Sequence, residues 1–199
     1  MKRIISLALL LVLALCMFSC GDDDVAPEGM KLASDTKVVD YRLYVPTEWE
    51  VSTAERATTQ AYASKNDRTN ILVMQWNITE NTKTVADWWE KEYKPQVFAG
   101  GAVQDHKILT EGEEALLDKL PAYKYAYTGK IGDTYFKYQL VSCVTKGSIY
   151  VIQLTYMQDS REVDGKVEPV LDEKGEPVFS TEAKHKEAVD KMIGNFKFN

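Results

Sequence analysis

Between residues 122 and 157, three β-rich runs follow one another with almost nothing between them, and this limits the fold more than any other stretch. Residues 122–128 place Tyr123, Tyr125 and Tyr127 on one face with Lys124 opposite, the period of two that a strand imposes. Gly129-Lys130-Ile131-Gly132 then turns the chain into 135–145, and Lys146-Gly147 turns it again into 148–157. Turns this short join only antiparallel neighbours, so the stretch reads as an antiparallel meander.

The rest of the chain supplies more strands and two helices. Residues 38–45 are rich in β-formers and stop at Pro46, with Trp49 one short turn later. Residues 57–64 and 70–78 read as a hairpin around Lys65-Asn66-Asp67-Arg68, with further strands at 103–110 and 113–118. At Thr84-Val85-Ala86-Asp87 the period changes, in a pattern resembling a capping box with Asp in the place of Glu. Val85, Trp88, Trp89 and Tyr93 fall on one helical face, and Pro95 should end or bend that helix near Lys94. At that spacing the two tryptophans read as core; a ligand-stacking platform is the competing reading. A last helix, capped by Ser180 or Thr181, carries Val189, Met192, Ile193 and Phe196 on one side and ends at Gly194-Asn195. Phe196-Lys197-Phe198 then forms a short terminal strand or a packed tail. The fold class is α+β, an antiparallel sheet flanked by helices.

The first residues carry an address. Met1-Lys2-Arg3 precedes an apolar run over 4–18, the layout of a secretory signal. As a helix that run spans about 22 Å, short of a hydrocarbon core of about 30 Å. Met17-Phe18-Ser19-Cys20 resembles the lipobox of bacterial lipoproteins. The resemblance implies cleavage after residue 19 and lipidation of Cys20, whose thiolate is the nucleophile that alkylation needs. Two or three acyl chains hold a protein on a membrane stably where one does not. The chain thus divides into a signal peptide (1–19), a lipidated cysteine with a flexible linker (20–37) and one domain (38–199), on the extracytoplasmic side of the cell envelope. Membrane contact is expected through the N-terminal lipid.

Charge narrows the partners. Loss of the leader takes Lys2 and Arg3 from 24 basic residues and nothing from 30 acidic ones, leaving a formal balance of −8. With no Lys/Arg run longer than two, nucleic acid is excluded as a partner. Of the three cysteines, Cys16 lies in the leader and Cys20 is the lipid site. Cys143 is therefore without an intramolecular partner, and no disulfide framework is expected.

A strand ending Tyr44-Val45-Pro46 with Trp49 after it resembles the start of PsbP-like (PsbP/DcrB-type) domains. So do Leu117-Asp118-Lys119-Leu120-Pro121-Ala122-Tyr123, the Tyr-rich meander with Tyr150-Val151-Ile152-Gln153-Leu154-Thr155-Tyr156, and the closing Ile193-Gly194-Asn195-Phe196-Lys197-Phe198. The resemblance implies an α/β/α sandwich around an antiparallel sheet, in a family that acts mostly by binding partners and shares no active site. The chain departs from that pattern in an insertion at about 158–179, with an Asp164-Gly165 turn signal inside Val163-Asp164-Gly165-Lys166-Val167. Pro169 and Pro177 keep it out of a central sheet. It reads as a projecting, acidic hairpin, either a tolerated surface insertion or a docking arm presenting Val163, Asp164, Gly165, Pro169 and Pro177 to a protein partner.

Chemistry-bearing residues are sparse. His185 sits on the apolar side of the last helix, where burial or a cap contact is expected. His106 lies in a strand with Asp105 on the opposite face. Glu111-Gly112-Glu113-Glu114 is the densest carboxylate cluster, a weak Ca²⁺ candidate or a solvated turn. The sequence contains no nucleophile elbow, dinucleotide fingerprint or phosphate loop. The expectation is a module without a cofactor that binds or scaffolds in the envelope and catalyses nothing. The alternative is a ligand- or metal-binding lipoprotein associated with transport.

Overall fold

The structure, a computed structural model, describes residues 25–52, 58–63 and 67–199. The leader and Cys20 therefore lie outside the described residues. Three short strands come first: β1 (Met30–Leu32), β2 (Tyr41–Arg42) and β3 (Tyr44–Pro46). Seven more, β4 (Glu50–Ser52), β5 (Thr59–Tyr62), β6 (Asn70–Asn77), β7 (Gln104–Leu117), β8 (Leu120–Ile131), β9 (Thr134–Thr145) and β10 (Ser148–Met157), build an antiparallel sheet. Its spatial order is β4-β5-β6-β10-β9-β8-β7, with the meander at β8-β9-β10 and β5 paired to β6.

Period two sorts the sheet's side chains onto two faces, and each face meets one helix. Helix α1 (Val85–Trp88) covers Tyr125, Tyr127, Tyr138, Leu140, Ile149 and Val151, and its own Trp88 and the adjoining Trp89 are buried there. Both tryptophans are core. Helix α2 (Ser180–Gly194) lays Val189 and Met192 on the opposite face against Ile71, Val73, Tyr150 and Ile152. Met30, Leu43 and Val45 join that second core. An α/β/α sandwich results.

Several elements differ from the sequence expectation. The segment read as a linker is structured from Val25: β1 pairs with β3, and the buried Ser34 hydroxyl donates to the Tyr41 carbonyl and accepts from the Leu43 N–H. The strand expected over 38–45 is shorter, because Asp35 turns the chain by accepting from the N–H groups of Lys37, Val38 and Val39. What remains is β2, paired to the terminal β13 (Lys197–Phe198), and β3. Pro95 does not end the first helix, which runs on as two π-helical turns, Trp89–Tyr93 and Pro95–Ala99. The wide turns meet at Lys94, so Pro95 opens the second one, where a missing N–H costs nothing.

The two strands expected at 103–110 and 113–118 are the single strand β7, with register shifts at three places, one of them at Gly112 (φ +72°). A β-bulge of this kind lets a strand continue while changing which face its residues address. Opposite β7, Gly129 admits Val103: a Cβ built there would lie 2.0 Å from the Val103 Cγ1. Among the described residues no helix is long and apolar enough to cross a membrane.

Candidate functional site

After Met157 the chain makes a long excursion before α2, and its base is closely tied. Gln158 is buried; its N–H donates to the Tyr135 carbonyl at 2.9 Å and its side-chain amide to the Val170 carbonyl at 3.2 Å. The Asp159 N–H donates to Val178, its carbonyl accepts from Val170, and its carboxylate accepts the Ser180 N–H at 3.0 Å. That last bond caps α2. The residue at the N-cap position is Phe179, so neither Ser180 nor Thr181 performs the role expected of them.

Above this base the excursion divides in two, where the sequence suggested one projecting hairpin. The first part is an arm, β11 (Ser160–Val163) and β12 (Lys166–Pro169), in register from Ser160↔Pro169 to Val163↔Lys166. Its turn is Asp164 (φ +51°) and Gly165 (φ +75°), the paired left-handed residues of a type I′ hairpin. Asp164, Gly165 and Pro169 are exposed, Val163 is half-buried, and Val167 is 77% exposed. The second part is a turn in which the Asp172 carboxylate accepts the N–H groups of Lys174 and Glu176. Here Pro177 bridges to Leu171, and Glu176 meets Lys107 of β7 at 2.8 Å. The five residues singled out for partner binding are therefore not together. Four belong to the arm, and Pro177 belongs to the turn beside the sheet.

That turn closes one end of a trough. α2 covers only part of its face of the sheet: Leu117, Ala122, Val141 and Cys143 are buried in its core, while the parts of β7, β8 and β9 around Lys107, Lys124 and Lys137 lie beside it. The β7 bulges bring Lys107, Thr110 and Glu113 onto this open face, opposite Thr128, Ala126 and Lys124. From β9 come Lys137 and Gln139, which point away from the aromatic face. Lys137 donates to both oxygens of Glu182 on α2 at 2.6 and 2.8 Å, Gln139 donates to Glu182 at 2.5 Å, and Lys124 lies 3.5 Å from Glu113. Each of these lysines faces a carboxylate, so the floor is polar but locally neutral. Clefts of about 410 and 270 Å³ lie along α2 and share Gln139, Val189 and Asp190; a third, about 460 Å³, lies between the Leu171–Pro177 turn and Lys107, Thr128 and Tyr135.

The other sequence candidates are scattered. The bulge at Gly112 sends Glu111 and Glu113 to opposite faces: Glu111 accepts the Trp89 indole N–H at 2.7 Å and pairs with Lys94 at 2.5 Å, while Glu113 lines the trough. Hydrogen bonds from Lys94 and Trp89 hold the Glu111 carboxyl below its usual pKa. Glu114 pairs in register with Tyr123. No three His, Cys, Asp or Glu side chains among the described residues converge as a metal site would require. His106 stacks on Phe98 at 4.2 Å between ring centroids. His185 is largely buried, edge-on to Trp49, with Nε2 2.9 Å from the Asp67 carboxylate. Cys143 is buried, and burial pushes its thiol pKa up to about 12.

Lys107, Lys137, Gln139, Glu182 and Asp159 were not found by reading the sequence. The sequence does carry one signal: Lys137 and Gln139 alternate with Phe136 and Tyr138 in a central strand, which marks a stretch where the helix leaves that face only partly covered.

No protein-family model matches the chain, and no curated protein matches it in sequence. Solved structures do match. Cyanobacterial PsbP (CyanoP) from Synechocystis is 16% identical with a TM-score of 0.55, over 91% of this chain and 98% of that one. The Saccharomyces cerevisiae Ran-binding protein Mog1p is 10% identical with a TM-score of 0.52, over 85% of this chain and 95% of that one. Identities this low carry the architecture and nothing of the activity. The chain has the PsbP-like fold, an antiparallel sheet between two helical layers.

Proposed function

We propose that this protein is a lipid-anchored, extracytoplasmic module of the cell envelope that binds or scaffolds a protein partner and catalyses no reaction. The observation that carries the reading is the arm β11–β12, exposed along both strands yet rooted through Gln158 and Asp159. A rigid root with a solvated tip presents a surface at little ordering cost on binding. Between residues 158 and 179 the chain holds seven acidic and three basic residues, which suits a basic patch on the partner. Anchoring rests on the leader and the Cys20 motif in the sequence.

The test is crosslinking in intact cells with mass spectrometry. The wild type is compared with a variant whose residues 161–168 are replaced by Asn-Gly, a two-residue turn that closes the Ser160↔Pro169 pair and spares the root. A dominant partner lost in the variant, with thermal unfolding unchanged, supports the arm; a partner kept in the variant removes the arm from the proposal.

The trough favours a second reading, a ligand-binding lipoprotein associated with transport, since clefts of about 410 and 460 Å³ fall in the size range of small-molecule sites. A ligand screen by thermal shift, repeated on Gln139→Ala for the cleft of about 410 Å³ and on Lys107→Ala for that of about 460 Å³, separates this reading from the first.

A further inference from the structure

The place where the chain enters the folded body, together with the length of chain before it, restricts how the body sits on a membrane. This inference rests on the lipid-anchor reading. Only Gly21, Asp22, Asp23 and Asp24 separate Cys20 from Val25, where the described body begins. Five Cα–Cα steps reach about 18 Å at full extension. The next residues are docked: Ala26 packs on the core containing Met30, Val189 and Met192, β1 pairs with β3, and the Thr47 N–H donates to the Gly29 carbonyl at 3.1 Å. Glu28 is near enough to Lys191 that its charge adds, behind Glu187, to the rise in that lysine's pKa. The chain thus enters on the α2 side of the sheet.

We infer that the α2-bearing face, and with it the trough, is the side turned toward the bilayer, so that whatever occupies the trough is met at the lipid surface. The entry point selects the α2 side, and the magnitudes exclude the opposite one. Two helical layers of about 10–12 Å each, with the sheet between them, make the body more than about 25 Å thick. A leash of about 18 Å cannot pass around that thickness to lay α1 against the lipid.

The test places one thiol-reactive fluorophore on each side. Lys186→Cys on α2 and Lys91→Cys beside α1 replace side chains that are more than half exposed, and the native Cys143 is buried. Full-length lipidated protein purified from membranes is reconstituted into phosphatidylcholine vesicles containing a headgroup-nitroxide lipid, and quenching is read. Several-fold stronger quenching at position 186 than at 91 is expected. Inserting a Gly-Ser spacer of about 20 residues between Asp24 and Val25, with an r.m.s. span of about 25 Å, should erase the difference while the protein stays bound. Equal quenching at both positions without the spacer, or stronger quenching at 91, overturns the orientation while leaving the anchor intact. Cys20→Ser protein that still cofractionates with membranes instead removes the anchor, and the orientation goes with it.

Discussion

The carboxylate of Asp159 accepts the backbone N–H of Ser180 at 3.0 Å, so a residue at the root of the 158–179 excursion also caps the helix that follows it. Four N–H groups at a helix start lack partners within the helix, and here one is satisfied by a residue distant in sequence. Asp159→Ala removes that bond and loosens the root of the arm. A loss of about 1 kcal/mol is expected, which lowers the thermal midpoint by about 2–4 °C in a domain of this size. Thermal unfolding measures the first effect. Faster tryptic cleavage at Lys166 reports the second.

Asp67 joins the β5–β6 turn to α2. Burial pushes its pKa up, but hydrogen bonds from His185, the Thr69 N–H and Lys184 outweigh burial and hold the carboxyl below its ordinary value near 3.9. A carboxyl with a depressed pKa in the folded state stabilises the fold fully above its unfolded pKa, and that contribution is lost as pH falls through the folded one. Asp67→Asn should therefore lower the denaturation midpoint at pH 7, and the gap from wild type should shrink as the pH drops below about 4. A gap that stays constant from pH 7 to pH 3 contradicts the assignment.

Gly129 is required for space. Its φ lies outside the left-handed region, so conformational freedom is not the reason. Any Cβ there meets the buried, β-branched Val103. Gly129→Ala is expected to cost about 1–3 kcal/mol by overpacking. Adding Val103→Ala should return part of that loss, because the two side chains compete for one volume. Chemical denaturation of the two single variants and the double variant completes the cycle.

Cys143 should be inert in the folded protein. With its pKa pushed up to about 12 by burial, and further by the charge of Asp118, on the order of one thiol in ten thousand is ionised at pH 8. Ellman's reagent should find no reactive thiol there until denaturant is added. Rapid labelling without denaturant would mean that β9 opens locally.

Much of the architecture is legible in local patterns. Tyr123, Tyr125 and Tyr127 alternate as the meander requires, Asp164-Gly165 encodes its own turn, and Val85, Trp88, Trp89 and Tyr93 mark the helical face that is buried. What could not be read depends on partners far away in the chain. Met30 and Leu32 look like linker because their β-partner is β3, and Asp159 looks like a loop acid because its partner is Ser180. Pro95 reads as an end or a bend under the α-helical hydrogen-bond pattern, whereas wide turns shift which N–H is dispensable. The trough was hidden for a similar reason: the faces of Lys107, Thr110 and Glu113 depend on bulges, and one such shift reverses the parity on which period-two reading relies.

The same bulges bear on how copies of the protein behave toward one another. β7 is a fourteen-residue edge of the sheet, with Ile108, Leu109 and Leu116 exposed along it. A straight edge of that length would be a template for another chain, and self-association by strand addition would be hard to avoid at high local density. Three interruptions of register leave no uninterrupted run longer than five residues, Glu113–Leu117, for an incoming strand to follow. Crowded neighbours on one surface can collide along this edge without zipping together.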